Sequence, residues 1–388
     1  MRIRYLMLHA YGMGGTIRTV VNQANAMARA GHDVEIVSVV RRRNKPQFAI
    51  HQDVRISALV DQREGRRPDS PARKVWRRVR GKMVPRGEFA AEYFTERVEK
   101  AVMDYVASLP DGILITTRPA LNLIAARRAA KGVVKVAQEH MNLTAYPETI
   151  RSEIVRHYGR FDAVAVLTRT NQLEYQEILP GTRIVQIPNA VHKVDQERST
   201  QRNPVVVAAG RLVPQKGFDL LIQAFAQVVA EHPDWSLRIF GNGPREARLQ
   251  AQIDELGLGG HVALMGRTER LDDELAAASV YALSSRFEGL PMVMIEAMTH
   301  ALAVVAFDCP TGPRDVLTDG VDGLLVPPRD VDALAAALKK VVRDRRRRIE
   351  MGAAAADTAR GYAPDVVMPM WEDLFAELLG GDRVSSSR

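Results

Sequence analysis

The sequence predicts an α/β protein of two domains, each built around a mostly parallel sheet. A chain of 388 residues exceeds what one ordinary hydrophobic core organises. Short apolar segments alternate with longer helical ones along both halves, and a polar stretch without periodicity separates the halves. We therefore assign residues 1–190 to a first domain, 191–203 to a linker and 204–364 to a second domain. The last helical segment, 365–380, lies outside the second alternation.

The first domain opens with a strand, a glycine-rich turn, a helix and a second strand. The strand is predicted at 3–8, the turn contains Gly14 and Gly15, and the helix and second strand follow at 19–30 and 34–40. This order predicts parallel pairing with right-handed crossovers. The two glycines either let a ligand approach the backbone closely or only form a tight turn. The turn lacks the full dinucleotide-binding pattern.

Further strands and helices alternate through the rest of the first domain. The strands are predicted at 113–116, 133–137, 161–167 and 184–187, and the helices at 89–108, 119–130 and 171–178. A polar cluster that includes His140 follows the strand at 133–137. Open α/β sheets bind ligands at the carboxyl ends of their strands. His140 is therefore either a structural histidine or a hydrogen-bond donor, acid or base at a substrate.

The second domain repeats the alternation. Strands are predicted at 204–210, 236–240, 262–265, 279–284, 303–307 and 323–326, and helices at 218–230, 246–256, 271–278 and 331–343. Asp330 and Asp332 spell a metal-binding D-x-D pattern, but their place before an alanine-rich helix indicates a helix cap. We expect a solvated helix end at 343–348 and a disordered tail at 380–388.

Composition excludes several classes of protein. The hydrophobic fraction of 46% and charged fraction of 26% are typical of a globular chain. Cys309 is the only cysteine, so an internal disulfide is excluded and a reducing cytoplasm is expected. No run reaches the roughly 18 to 20 apolar residues that span a bilayer. The first residues indicate a core strand rather than a signal peptide. We expect a cytoplasmic protein, either free or peripheral on the inner face of the membrane.

The net charge of +8 favours an anionic partner without choosing among nucleotide, nucleic acid and lipid headgroup. The sequence holds no zinc knuckle, helix-turn-helix or aromatic RNA-reading strand, so we expect no nucleic-acid partner. A basic stretch runs from Arg73 to Lys82 and includes Trp76. It either docks on its domain as a solvated connector or lies on an anionic membrane surface.

Two carboxylates, Glu288 and Glu296, lie eight positions apart on either side of a predicted helix start. Pro291 suits the first helical position, because its missing N–H would be unpaired there in any residue. The helix start offers free N–H groups and the positive end of a dipole. This combination suits a phosphate with a sugar on each side. Taken alone, each carboxylate is better explained as a solvated surface group.

A second loop favours the functional interpretation. Arg211 and Lys216 lie five positions apart in a segment bounded by glycine and proline, between a buried strand and a helix. Arginine binds phosphate by forked hydrogen bonds and lysine as a point charge, so the pair suits a diphosphate. The segment does not match the Walker-type phosphate loop.

Together these motifs resemble a known family. The segments starting at Gly210, Phe240 and Ser284 are similar to those of retaining nucleotide-sugar glycosyltransferases of the family 4 type, which include glycogen-synthase-like and bacterial surface-glycan enzymes. The resemblance covers nearly all of the second half and is weaker in the first. It implies the GT-B fold: two facing Rossmann-like domains with an interdomain cleft, the donor on the second domain and the acceptor on the first. In such enzymes the last helix, here 365–380, commonly returns to the first domain.

The resemblance also implies roles for individual residues. Arg211 and Lys216 would bind the diphosphate, Glu288 the donor sugar, Glu296 the ribose, and Arg267 would lie against the base. The residues expected to bind the donor are Gly14, Gly15, Arg211, Lys216, Asn242, Arg267, Glu288, Gly289, Leu290, Pro291 and Glu296. The residues expected to take part in the chemistry are Arg211, Lys216, Glu288 and His140.

The reaction implied is transfer of a hexose, with retained anomeric configuration and no metal, from a UDP-sugar to a hydroxyl of a glycan, a lipid-linked saccharide or a polymer. Two alternatives remain open at this stage. One is a GT-B sugar-nucleotide epimerase, which binds the same donor and needs no acceptor. The other is a non-catalytic subunit that keeps the fold and binds partners through its basic surface.

Overall fold

The computed structural model describes residues 1–63 and 81–380. All but the last two residues of the basic stretch from Arg73 to Lys82, and the tail after residue 380, lie outside the described residues. The chain forms two compact units. The first unit contains Met1–Pro188 and the C-terminal residues from Val367, and the second contains Asn189–Val366.

The first unit is built on a seven-stranded sheet with the strand order β3-β2-β1-β4-β5-β6-β7. All neighbouring strands pair in parallel. The order turns back at the β1–β4 boundary, where doubly wound sheets open a crevice at the carboxyl ends of the strands. The strands are β1 (Arg2–Met7), β2 (Asp33–Arg41), β3 (Val54–Asp61), β4 (Ile113–Thr116), β5 (Val134–Gln138), β6 (Ala163–Val166) and β7 (Ile184–Gln186).

Helices cover the faces of this sheet. They are α1 (Gly15–Arg29), α2 (Glu96–Ser108), α3 (Pro119–Arg128), α4 (Glu148–His157) and α5 (Arg169–Ile178), with a 3-10 turn at Ala91–Tyr93. The apolar residues of α1 recur every three or four positions, so they form one buried stripe against the sheet. Pro119 occupies the first turn of α3, where its missing N–H costs nothing.

The second unit is built on a six-stranded parallel sheet with the order β10-β9-β8-β11-β12-β13. Every residue of β8, β11 and β12 is buried, as expected for central strands covered on both faces. The strands are β8 (Val205–Ala209), β9 (Ser236–Phe240), β10 (Val262–Gly266), β11 (Val280–Leu283), β12 (Ala303–Phe307) and β13 (Gly323–Val326).

The helices of the second unit alternate with these strands. They are α6 (Phe218–Glu231), α7 (Glu246–Glu255), α8 (Leu271–Ala277), α9 (Met292–Thr299), α10 (Pro313–Val316), α11 (Val331–Arg343) and α12 (Arg345–Ala359). The predicted cap of α11 is confirmed, since the Asp330 carboxylate accepts a hydrogen bond from the Ala333 N–H at 2.9 Å. The last helix, α13 (Pro364–Gly380), begins in the second unit, and its residues from Val367 belong to the first.

Several elements differ from the sequence prediction. Strand β3 and helix α4 were not predicted, and α1 starts four residues earlier than expected. The arginine-rich segment is the start of α12 rather than a solvated helix end. Its Arg348 is buried, donates to the carbonyls of Val341 and Val342, and stacks 4.9 Å from the Trp235 ring centroid.

The predicted linker, 191–203, belongs to the second unit. The Ser199 N–H donates to the His300 carbonyl at 2.8 Å, and the Gln201 side chain donates to the Ala301 carbonyl at 2.6 Å. Its backbone and its polar side chains therefore satisfy backbone groups of the unit on which it packs. Within the described ranges, no helix is long and apolar enough to cross a membrane.

Candidate functional site

Three loops meet at the carboxyl edge of the second sheet, after β8, β9 and β10. The Leu212 N–H donates to the Asn242 carbonyl at 2.9 Å, and the Gly241 N–H donates to the Gly266 carbonyl at 2.7 Å. Gly241 has a φ of 135°, and a Cβ there would lie 1.9 Å from the Gly210 carbonyl oxygen. Only glycine therefore permits this approach of the first two loops.

These backbone contacts bring three of the predicted donor-binding side chains onto neighbouring loops. Arg211 follows β8, Asn242 follows β9 and Arg267 follows β10, and all three residues are exposed. Arg211 makes no ion pair and no side-chain hydrogen bond with the described part of the chain. Its guanidinium is therefore available to an anion at this edge of the sheet.

The loop that contains Lys216 is joined to the loop that contains Glu288. The Ser284 hydroxyl donates to the Lys216 carbonyl at 2.9 Å, and the Arg286 N–H donates to the Gln215 carbonyl at 2.7 Å. Gly217 lies between the loops with a φ of 63°, and a Cβ there would lie 2.0 Å from the Ser284 carbonyl oxygen. The two predicted motifs therefore lie on two loops that are hydrogen-bonded to each other.

An ion pair joins these two loops through their side chains. Lys216 Nζ donates to Glu288 Oε1 at 2.6 Å, and the Ser285 hydroxyl donates to the same oxygen at 2.5 Å. The side chain of Glu288 is 7% exposed and that of Lys216 is 17% exposed. A charge pair so well shielded from water interacts more strongly than a surface pair. The structure thus brings together two of the residues predicted to act on the donor.

Glu288 is also fixed through its backbone. Its N–H donates to the Pro310 carbonyl at 2.9 Å, and its carbonyl accepts from the Thr311 N–H at 3.2 Å. Cys309 precedes this contact and is buried, and burial raises the pKa of its thiol to about 12. The one cysteine is therefore a packing residue beside the ion pair rather than a nucleophile.

Glu296 lies on the second turn of α9 and is 7% exposed. Burial raises the pKa of the nearby Tyr281 phenol, and the negative charges of Glu288 and Glu296 raise it further. Both carboxylates therefore lie near one phenol on β11. The predicted position of Pro291 was wrong by one residue, because α9 begins at Met292 and Pro291 is its cap. Gly289, Leu290 and Pro291 are all buried at this helix start.

The sequence did not reveal the side-chain contacts that fix the Lys216 loop. The Arg286 guanidinium forms an ion pair with the Asp219 carboxylate at 2.7 Å and donates to the Pro214 carbonyl at 2.6 Å. A pairing between residues 67 positions apart carries no local signal. Tyr281 was also missed, because it reads as one more apolar residue of a buried strand.

In the first unit, His140 follows β5, at the carboxyl edge of that sheet. Both ring nitrogens are buried, and neither has a hydrogen-bond partner among the residues that the structure describes. Burial lowers the pKa of His140 to about 4, and the positive charge of Arg118 adds to this shift. The imidazole is therefore neutral at pH 7 and has one donor and one acceptor unused.

A network of neutral donors lies beside His140. Glu139 is 1% exposed and accepts hydrogen bonds from Asn122 Nδ2 at 2.7 Å, the Tyr146 hydroxyl at 2.7 Å and the Tyr158 hydroxyl at 2.6 Å. Burial raises the pKa of Glu139 to about 7, although these three hydrogen bonds act in the opposite direction. The network fixes the backbone that carries His140, and the polar cluster at this strand end did not reveal these partners.

The two predicted glycines of the first unit lie at the start of α1. Gly14 precedes the helix with a φ of 155°, and its carbonyl accepts from the Arg18 N–H at 3.0 Å. A Cβ on Gly15 would meet no atom within 4 Å. Packing inside the first unit therefore does not require glycine at position 15.

Comparison with known proteins places this arrangement in a family. Residues 192–358 match the model of the glycosyl transferases group 1. Over 60% of its length the chain is 30% identical to a GDP-mannose-dependent alpha-(1-6)-phosphatidylinositol monomannoside mannosyltransferase of Mycolicibacterium smegmatis, and the match covers 67% of that protein. The chain belongs to the glycosyl transferases group 1 family.

Two further comparisons cover nearly the whole length of this chain. The chain is 34% identical over 98% of its length to an exopolysaccharide phosphotransferase of Streptomyces coelicolor, but it spans only 41% of that protein's length. A mutant of S. aureus TarM, solved with Fondaparinux, alpha-GlcNAc-glycerol and UDP, superposes with a TM-score of 0.77 at 17% identity. That match covers 97% of this chain and 100% of TarM. The predicted α/β GT-B fold class, with two Rossmann-like units, is thereby confirmed.

Proposed function

We propose that this protein is a retaining glycosyltransferase that moves a hexose from a nucleotide diphosphate sugar, with UDP as the nucleotide, to a hydroxyl group. The acceptor is a glycan, a lipid-linked saccharide or a polymer, and the reaction requires no metal. The enzyme works in the cytoplasm, where it is either free or peripheral on the inner membrane face.

The observation that carries this proposal is the buried ion pair between Lys216 and Glu288. It joins the two loops whose residues suit a diphosphate and a sugar, and Arg211 lies on the first of these loops with no ion-pair partner in the part of the chain that the structure describes. A structural ion pair needs no second cation beside it, whereas a diphosphate leaving group does. Negative charge that develops on the departing nucleotide would be stabilised by Lys216 and Arg211.

Each remaining residue has a part in this proposal. Glu288, oriented by Ser285, accepts hydrogen bonds from the donor sugar's hydroxyl groups, and Glu296 accepts them from the ribose. The backbone at the start of α9 adds N–H groups near the phosphates. Asn242 and Arg267 lie on the neighbouring loops, on the side proposed for the base.

In the first unit, we assign Gly14, Gly15 and His140 to contacts with the substrates. His140 is neutral, and neither ring nitrogen has a partner within residues 1–63 and 81–380, so it is able to donate to or accept from a sugar hydroxyl without carrying charge. We therefore assign it to orientation of the transferred sugar.

The named relatives support a nucleotide-sugar donor but do not agree on the base. The mycobacterial relative is named for GDP-mannose, whereas the TarM structure contains UDP. A thermal-shift comparison of UDP, GDP and ADP tests this part directly, because a bound ligand raises the unfolding temperature of the native state. We expect the largest shift with UDP. A larger shift with GDP would show that the donor carries guanine rather than uracil. No shift with any nucleotide would overturn the donor proposal.

The reaction itself is tested by incubating the protein with a panel of UDP-sugars, with and without an acceptor glycan. We expect release of UDP that accelerates with acceptor and is unchanged by EDTA. An isomerised nucleotide sugar without acceptor would indicate the epimerase. Nucleotide binding with no turnover on any sugar would indicate the non-catalytic subunit. An α-linked product from an α-linked donor would establish retention.

A further inference from the structure

A large cavity lies within the first unit, at the carboxyl ends of β2 and β3. Its volume is about 970 Å³, and it extends to the 3-10 turn at Ala91–Tyr93 and the start of α2. The charged residues that line it are Arg42, Arg43, Arg63, Arg97 and Glu92. Among the residues that the structure describes, the lining therefore carries four cations and one anion, a stronger positive bias than the whole chain shows.

Most of this positive charge is unpaired. Arg63 forms an ion pair with Asp61, with Nη2 and Oδ2 2.7 Å apart. Arg42, Arg43 and Arg97 have no carboxylate within ion-pair distance in the described ranges. Three arginines that converge on one cavity repel one another, so their clustering there lowers stability unless an anion binds between them.

One of these arginines is held in place by its neighbours. The Arg42 guanidinium lies 4.4 Å from the Tyr93 ring centroid, and its Nε donates to Gln62 Oε1 at 3.0 Å. Both contacts leave the terminal nitrogens of Arg42 unused. A guanidinium stacked on an aromatic ring is preorganised for forked hydrogen bonds to a phosphate.

The position of the cavity connects it to the proposed site. His9 follows β1 at the same edge of the sheet, and the charges of Arg42 and Arg43 lower its pKa in addition to the effect of burial. A Cβ on Gly12, in the glycine-rich turn before α1, would lie 2.8 Å from His9 Cδ2. The arginines therefore lie close to the turn that contains Gly14 and Gly15.

We propose that this cavity binds a phosphate group of the acceptor, adjacent to the sugar or alditol that receives the hexose. The inference rests on the proposed function, in which the first unit holds the acceptor. A phosphodiester in a polymer and the diphosphate of a lipid-linked saccharide share this chemistry. In either case the arginines fix the register of the acceptor and so select which hydroxyl group reacts.

The test compares two double variants of the full chain that each lose two positive charges. Arg42→Gln with Arg43→Gln removes the two exposed arginines of the cavity. Arg29→Gln with Arg128→Gln is the matched control in the same unit. Its arginines lie in the last turns of α1 and α3, which return to the opposite edge of a parallel sheet.

Binding is measured by calorimetry with two probes in the presence of saturating UDP. One is a short oligo(glycerol phosphate), with an uncharged oligosaccharide of equal length as its reference. The other is a vesicle of neutral lipid with or without polyprenyl diphosphate. We expect the cavity variant to bind the preferred phosphate probe about tenfold or more weakly, and the control variant to change by less than about twofold.

The probe that binds identifies the source of the phosphate. Equal losses in both double variants would overturn the proposal, since net charge alone would then explain the binding. The proposal would also be overturned if the wild type bound neither probe, or if the cavity variant bound the phosphate probe as tightly as the wild type. The UDP-induced thermal shift of each variant separates this inference from the proposed function. A wild type that shows no thermal shift with any nucleotide would defeat the donor assignment, whereas an intact UDP shift with unaltered phosphate binding would defeat the cavity assignment alone.

Discussion

The two units place opposite kinds of chemistry at the carboxyl edges of similar sheets. In the second unit, a shielded charge pair, Lys216 with Glu288, lies between two loops joined through their backbones. In the first unit, His140 is neutral and Glu139 is surrounded by neutral donors. The difference matches the ligands proposed for each. A leaving diphosphate needs fixed charge, whereas a sugar that is only oriented needs hydrogen bonds in a dry, uncharged site.

The largest expected effect comes from removing the positive charge of Lys216 in the second unit. Lys216→Ala should lower turnover by about a hundredfold or more, since one well-aimed group that stabilises leaving-group charge is worth about 3 to 4 kcal/mol. Steady-state rates of UDP release measure this change. Lys339→Ala is the control, because Lys339 forms an ion pair with Glu231 at 2.8 Å on the surface of the same unit. Near-normal turnover by a folded Lys216→Ala protein would remove Lys216 from catalysis.

The second effect tests whether Glu139 is uncharged in the folded first unit, as its burial among neutral donors indicates. The folded protein keeps a proton on Glu139 up to about pH 7, whereas the unfolded chain releases it near the ordinary pKa of 4.5. Stability should therefore fall as pH rises from about 4.5 to about 7, by about 3 kcal/mol from this group. Glu139→Gln should remove that slope.

Urea unfolding at about pH 5 and about pH 8 measures the slope for both proteins. Trp371 is 2% exposed in the first unit and supplies a fluorescence signal for its unfolding. Parallel curves for wild type and Glu139→Gln would show that Glu139 is ionised in the folded protein throughout this range.

A third, smaller effect compares the glycines of the two units. Gly217→Ala should destabilise the second unit by about 2 kcal/mol, because the residue has a left-handed backbone and its new Cβ would lie 2.0 Å from a carbonyl oxygen. Trp235, 5% exposed, reports on unfolding of this unit. An unchanged transition at Trp235 would mean that the two loops separate at little cost, contrary to their hydrogen bonding.

The smallest effect is expected at the corresponding turn of the first unit. Gly15→Ala should change stability by less than about 1 kcal/mol, and in the stabilising direction, since the space is open and the unfolded chain loses freedom. The KM for the donor should nevertheless rise if Gly15 approaches it. An unaltered KM would remove Gly15 from the donor site while leaving the second unit's assignments intact.

The sequence predicted the second unit's site better than the first's for a physical reason. Lys216 and Glu288 each lie in a short loop between a buried strand and a helix, so their chemistry is readable from contiguous residues. The network around Glu139 draws Asn122, Tyr146 and Tyr158 from separate elements, and no local pattern marks such a meeting.

The same distinction explains the elements that were missed. Central strands such as β8 are continuous apolar runs, whereas β3 is an edge strand with mostly half-buried residues and no clear alternation. The start of α12 reads as a solvated arginine run because the burial of Arg348 depends on Trp235, which is remote in sequence. Local composition therefore predicts elements that are buried uniformly and fails where one side chain differs from its neighbours.

The division of the chain has a consequence for synthesis. The second unit is continuous in sequence, whereas the first is completed only by the residues from Val367. Trp371 and Phe375 of that segment are buried, so a nascent chain lacks these two side chains until the whole second unit has been made. The first unit can therefore complete its fold only after the second unit has been synthesised, although most of its own residues come earlier in the chain. A polypeptide terminated before Val367 should have a first unit that is less stable than in the full chain.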